Sequence, residues 1–129
     1  MQKEKCFIYD ENITVKKNNN GRFIVNFYDE FEVRVIPQDV IEVMNDEIPE
    51  IVAILIATVK EKYQETKTRE YIKKLKNEEI NETLKKLLDD GCVAEELIQF
   101  FMQMKWHDIV QIFSSDNPKV ELEQIKEEY

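Results

Sequence analysis

The sequence predicts an α+β fold: an N-terminal four-stranded antiparallel β-meander packed on one face by a C-terminal helical bundle. Three observations lead there. Apolar and polar residues alternate through the first 36 positions, the period of a half-buried strand. Beyond Pro37 the apolar spacing changes to three and four, the period of an amphipathic helix. Three successive short loops also imply strand pairings that place the apolar side chains on one common face. The 129 residues suit a single domain, long enough to bury a core and too short for two. It divides into a meander over 1–36, helices over 39–113, and a tail with a short helix over 114–129.

Phe7 and Tyr9 flank Ile8, and Ile13 and Val15 flank Thr14. Phe23, Val25 and Phe27 alternate with Ile24, Asn26 and Tyr28; Phe31, Val33 and Val35 alternate with Glu32, Arg34 and Ile36. Such β-branched and aromatic runs fit a pleated surface with one face buried. Loop length then sets the register. A loop Asn19–Asn20–Gly21, with Gly21 left-handed, puts Val15 opposite Val25 and Ile13 opposite Phe27. A four-residue loop from Asn18 would pair Val15 with Ile24 and split the apolar face. A loop Tyr28–Asp29–Glu30 puts Phe27 opposite Phe31, Val25 opposite Val33 and Phe23 opposite Val35. A loop Asp10–Glu11–Asn12, with Asn12 at positive φ, puts Tyr9 opposite Ile13 and Phe7 opposite Val15. The buried face is then Phe7, Tyr9, Ile13, Val15, Phe23, Val25, Phe27, Phe31, Val33 and Val35, and Thr14, Lys16, Asn26, Glu32 and Arg34 face water. The turn at Tyr28–Glu30 lacks glycine, so one long bent strand over 22–36 is the alternative.

Pro37 ends the last strand. Asp39 is expected to start a helix, with Glu42 as its capping-box partner and Val40, Ile41, Val43 and Met44 as its apolar side. Pro49 opens a second helix, with Asp46 as its cap and Glu47 and Glu50 at the positive end of its dipole. Its first part, IVAILIATV over 51–59, is apolar nearly all round. That marks either the central core element or a dimer interface. The helix runs to about Glu65. Helical spacing persists through Tyr63, Tyr71, Ile72 and Leu75, with a break near Thr66–Thr68. A further helix over about Glu78–Asp89 carries Ile80, Leu84, Leu87 and Leu88, and Gly91 follows where a left-handed cap is wanted. From Val93 the stripe is Val93, Leu97, Phe100, Phe101 and Met104. It slips near Lys105–Trp106 and resumes at Ile109, Val110 and Phe113. The run Ser114–Pro118 signals a loop and a new helix start, and Leu122, Ile125 and Tyr129 mark a short last helix.

Chemistry-bearing motifs are scarce. Cys6 and Cys92 form no CxxC pair and are expected as free thiols. With His107 they exhaust the soft metal ligands, short of a zinc set. No GxSxG turn accompanies His107, which reads as a surface side chain. Two glycines, Gly21 and Gly91, are too few for a phosphate-cradling loop. The expectation is therefore a non-enzyme without cofactor or metal. The longest apolar run, Ile51–Val59, is about half the length of a bilayer span. The N-terminal MQKEKCFIYDEN lacks a signal-peptide pattern, so a cytoplasmic location is expected.

Charge is the remaining signal. The net charge is −9. Over residues 29–50, Asp29, Glu30, Glu32, Asp39, Glu42, Asp46, Glu47 and Glu50 stand against Arg34 alone. Asp39, Glu42 and Asp46 are spaced to share a helix face. Over 60–76, Lys60, Lys62, Lys67, Arg69, Lys73, Lys74 and Lys76 stand against three glutamates. The acidic segment reads either as a solvated surface paired inside the fold, or as a phosphate-like array offered to a basic protein partner. On the second reading the chain is a small acidic inhibitor, bacterial or phage-encoded, of the anti-defence or host-takeover type, blocking an enzyme that handles nucleic acid. Abundant Lys, Asn and Ile match an AT-rich genome. The alternatives are a DNA-binding regulator using the 60–76 strip, and an immunity or adaptor protein dimerising through Ile51–Val59.

Overall fold

A computed structural model describes residues 6–28, 30–44, 46–64 and 76–128. Strands β1 (Cys6–Asp10), β2 (Ile13–Lys17), β3 (Phe23–Phe27) and β4 (Phe31–Val35) form one antiparallel sheet in the order β1-β2-β3-β4. Helices α1 (Pro37–Val43), α2 (Pro49–Gln64), α3 (Asn77–Asp89), α4 (Ala94–Gln103), α5 (Trp106–Phe113) and α6 (Pro118–Lys126) follow. The fold is α+β.

The register agrees with loop parity at the two inner hairpins. Ile13 pairs with Phe27 and Val15 with Val25. Phe23 pairs with Val35, Val25 with Val33, and Phe27 with Phe31. Gly21 takes φ 80, as its loop requires. The carboxamide Oδ1 of Asn18 accepts the amides of Asn20 and Arg22, both at 3.0 Å. A single bent strand over 22–36 is therefore ruled out.

At the β3–β4 turn the glycine-like conformation falls on Tyr28, at φ 56, and the Glu30 amide donates to the Phe27 carbonyl at 3.0 Å. A β-carbon in this region costs about 1 kcal/mol or more. Replacing Tyr28 by glycine is expected to raise the unfolding free energy by about 0.5 kcal/mol, after glycine's own entropic penalty. An upward shift of the urea midpoint would show it, and a downward shift would contradict it.

The first hairpin differs from expectation. Phe7 does pair with Val15, but Ile13 pairs with Asp10 rather than Tyr9, and the register shifts between Ile8 and Asp10. The Asp10 Oδ1 accepts the amides of Asn12 at 2.7 Å and Ile13 at 2.9 Å. That carboxylate turn makes a left-handed Asn12 unnecessary; Asn12 has no positive φ. Tyr9 becomes the extra residue of a bulge.

Ile13, Val15, Phe23, Val25, Phe27, Val33 and Val35 are buried on one face, and Phe7 and Tyr9 pack partly against it. Phe31 is the exception at 41% exposed. It opens an edge strand, so a neighbouring strand covers it on one side only.

The sheet packs on α2, which touches β2, β3 and β4 and also α1, α3, α4 and α5. This middle position explains why residues 51–59 are apolar all round: every one is at most 4% exposed. The one polar member, Thr58, donates its hydroxyl to the Ile54 carbonyl at 2.7 Å. The segment leaves no surface for a second copy, so it is core and not a dimer interface. Ile48, whose carbonyl accepts the Val52 amide at 3.1 Å, precedes Pro49 in the place expected of Asp46.

Helix α3 ends in a left-handed glycine motif: Gly91 has φ 98 and donates to the Leu88 carbonyl, while Cys92 donates to the Leu87 carbonyl. The slipped stripe is a true break, with α4 ending at Gln103 and α5 starting at Trp106. Across it Phe101 and Phe113 meet with ring centroids 5.9 Å apart. Val93 precedes α4 and is exposed, so Ala94, Leu97, Ile98 and Phe101 carry that helix's core face. The predicted break at Thr66–Thr68, with Tyr71, Ile72 and Leu75, lies outside the described residues, as does Tyr129.

Candidate functional site

The acidic segment begins where β4 runs into α1. Pro37 sits at the first helical position, where its missing amide hydrogen is harmless and its fixed φ suits the turn. The helix therefore starts two residues earlier than expected. Ile36 takes the cap position without a side-chain cap, and the predicted Asp39–Glu42 capping box does not form. Asp39 lies on the inward side of α1 with Val40 and Val43, where it is 7% exposed.

Asp39 is held by residues from two other helices. The Asn81 Nδ2 of α3 donates to Asp39 Oδ1 and to Glu42 Oε2, each at 3.0 Å. The Lys60 Nζ of α2 lies 3.7 Å from Asp39 Oδ2. A carboxylate this buried needs such partners, because desolvation strongly disfavours an unpaired charge. Asp39 is thus an internal tie between α1, α2 and α3. So placed, Asp39 has little surface to offer a partner, against the expectation from the sequence.

The remaining predicted residues separate into two places. Glu42 is exposed on α1, Asp46 is exposed in the connection to α2, and Glu47 and Glu50 are half-buried. Asp46 lies beyond the end of α1, so it does not share a helix face with Asp39 and Glu42. Glu30 and Glu32 are exposed at the β3–β4 turn and on β4. The length of β4 separates Glu30 from α1 by roughly 20 Å at strand rise. Asp29 lies outside the described residues.

Two carboxylates that sequence reasoning missed join the α1 group. Glu78 and Glu82 of α3 line an open cleft of about 350 Å³ together with Glu42, Asn81 and Lys85. Their spacing of four on one helix was visible in the sequence; that this face meets Glu42 was not. Between the acidic residues stand exposed isoleucines. Ile41, expected on the apolar side of α1, is 64% exposed, and Ile48 and Ile36 are 48% and 42% exposed.

The basic strip contributes little that can be placed. Lys67, Arg69, Lys73 and Lys74 lie outside the described residues, Lys60 faces Asp39, and Lys76 is exposed just before α3. The His107 side chain is 71% exposed, with Nε2 3.3 Å from Asp108 Oδ1. Cys6 is exposed and Cys92 half-buried, and both are free thiols. Burial pushes the Cys92 thiol up, only partly offset by Lys119 and Lys126. At neutral pH it stays protonated and is a poor nucleophile. Among the described residues, no group of three His, Cys, Asp or Glu is arranged to hold a metal ion, and no helix is long and apolar enough to cross a membrane. No protein-family model matches the chain, and no curated protein or solved structure does.

Proposed function

We propose that the chain is a non-catalytic protein-binding module that inhibits an enzyme acting on nucleic acid by covering its basic surface. The contact is made by α1, the α1–α2 connection and the facing edge of α3. One observation carries this reading. Glu42, Glu78 and Glu82 line one open cleft in which Lys85 is the one base among the described residues, exposed Asp46 follows in the connection after α1, and Lys60 is turned to the buried Asp39. Carboxylates set around a surface imitate the charge of a phosphate backbone to a basic groove, and steer association at low salt. The net charge of −9 adds to the attraction. Small size, acidity and a Lys-, Asn- and Ile-rich composition fit an inhibitor of bacterial or phage origin, of the anti-defence or host-takeover type.

The test compares the wild-type chain with a variant carrying Glu42→Lys, Asp46→Lys and Glu82→Lys. Both are used to capture partners from a low-GC bacterial lysate, with mass spectrometry as readout. The wild type is expected to retain a basic nucleic-acid enzyme that the variant loses by at least about tenfold, the effect of roughly 1.4 kcal/mol. Equal capture by both would remove the acidic contact. Salt-sensitive binding of duplex DNA by the isolated chain would replace it with the DNA-binding reading.

A further inference from the structure

We propose that the outer edge of β4 is an interface for a second copy of this chain, which adds its own β4 antiparallel about a two-fold axis at Val33. This contact is independent of the acidic cleft and of the function proposed for it.

β4 is an open edge. It ends the sheet order, and among the described residues its backbone pairs only with β3. Unpaired amides and carbonyls along an edge are a template for another strand, and edges are commonly blunted by a bulge, a proline or a lysine. The opposite edge, β1, has such a bulge at Tyr9. β4 keeps an unbroken register over Phe31–Val35 and has none of these guards. Its side chains carry a second mark. Phe31 is exposed although it shares a face with the buried Val33 and Val35. Glu32 and Arg34 are exposed on the other face, and across β3 they meet only the uncharged Asn26 and Ile24.

The order Phe-Glu-Val-Arg-Val is complementary to itself. In a two-fold antiparallel contact a strand meets its own sequence reversed. Centred on Val33, the register sets Glu32 opposite Arg34 of the second copy, and Arg34 opposite Glu32 of the second copy. Phe31 falls opposite Val35, and Val33 opposite its own equivalent. A slip of one residue sets charged side chains opposite apolar ones. A slip of two sets Glu32 against Glu32 or Arg34 against Arg34, and like charges directly opposed are destabilising. Among these registers only the one centred on Val33 satisfies both faces. Directly opposed residues share a face, so both helical layers lie on one side of a continuous eight-stranded sheet. Phe31 then has the second neighbouring strand that its edge position denies it. The complementary pattern comes from the chain itself, which identifies the occupant as a second copy.

Sedimentation of the full chain at about 150 mM salt, where long-range repulsion between the two net charges is screened, tests the contact. The mass should rise from 15.5 kDa toward twice that value as concentration increases toward about 1 mM. Concentration-dependent amide shifts should centre on residues 31–35. Glu32→Arg alone and Arg34→Glu alone each oppose like charges twice per dimer, and each should weaken association at least about tenfold. An equimolar mixture of the two variants should restore it, because each meets its complement in the other. Circular dichroism of each variant should match the wild type, since both side chains are exposed. A wild-type chain that stays monomeric up to about 1 mM would overturn the contact and leave the edge to a strand of another protein. Dimers indifferent to the single reversals, or a mixture that associates no better than its parts, would also overturn it. Wild-type shifts centred away from β4 would do the same, however the variants fold.

Discussion

Replacing Leu55 by alanine is expected to cost about 3 kcal/mol of unfolding free energy, within the range for buried Leu→Ala changes. Leu55 is fully buried in the middle of α2. That helix has the sheet on one side and α3, α4 and α5 on others, so no flexible surface can collapse into the space left behind. A domain of this size has only about 5–15 kcal/mol in total. The urea midpoint should fall sharply with little change in slope. The same change at Ile41 is expected to move stability by less than about 0.5 kcal/mol, because that side chain is largely in water. Equal losses at the two positions would mean that α2 is not the central layer.

Asp39→Lys is expected to be at least as damaging, at about 3–5 kcal/mol, the scale of an uncompensated buried charge. The new ammonium would enter a site where Lys60 already points at the carboxylate from 3.7 Å. Asn81, which now donates to Asp39 and Glu42, would lose its acceptor at Asp39. Asp46→Lys should change stability by less than about 0.5 kcal/mol, since its side chain is exposed. The contrast separates structural from surface acids within one acidic segment. Retention of the wild-type unfolding midpoint by Asp39→Lys would show that the network joining α1, α2 and α3 is not holding the fold. For the same reason a charge-reversal test of partner binding must leave Asp39 alone, or it would report unfolding as lost affinity.

The meander was legible because its evidence is local. Side chains alternate with period two, and the number of loop residues fixes which of them face each other. Val25 opposite Val33 and Val15 opposite Val25 follow from counting alone. The first hairpin departs from that count because a side chain competes with the backbone: Asp10 captures two amides and Tyr9 falls in a bulge. The end of α3 was legible at Gly91, a residue without the side chain that makes left-handed backbone costly.

The acidic segment was legible as a run of charge and illegible as a surface. Its local pattern gives Asp39 and Glu42 the same standing, yet one is internal and the other exposed. Asn81, about 40 positions away, donates to both; what sets Asp39 apart is its burial and Lys60, which reaches it from another helix. Ile41 illustrates the opposite case. Its hydropathy argued for the core, but α1 packs on α2 and α3 through the side that carries Val40 and Val43, and Ile41 lies on the other.

The order of the elements, the pairing of the inner strands and the all-round apolar character of α2 were determined by the sequence itself, since each depends on periodicity and on residues close along the chain. Which carboxylates are interior ties and which remain for a partner, and which isoleucines stay uncovered, was decided only by the tertiary structure. Burial depends on what packs opposite a side chain, and for α1 those neighbours arrive from α2 and α3.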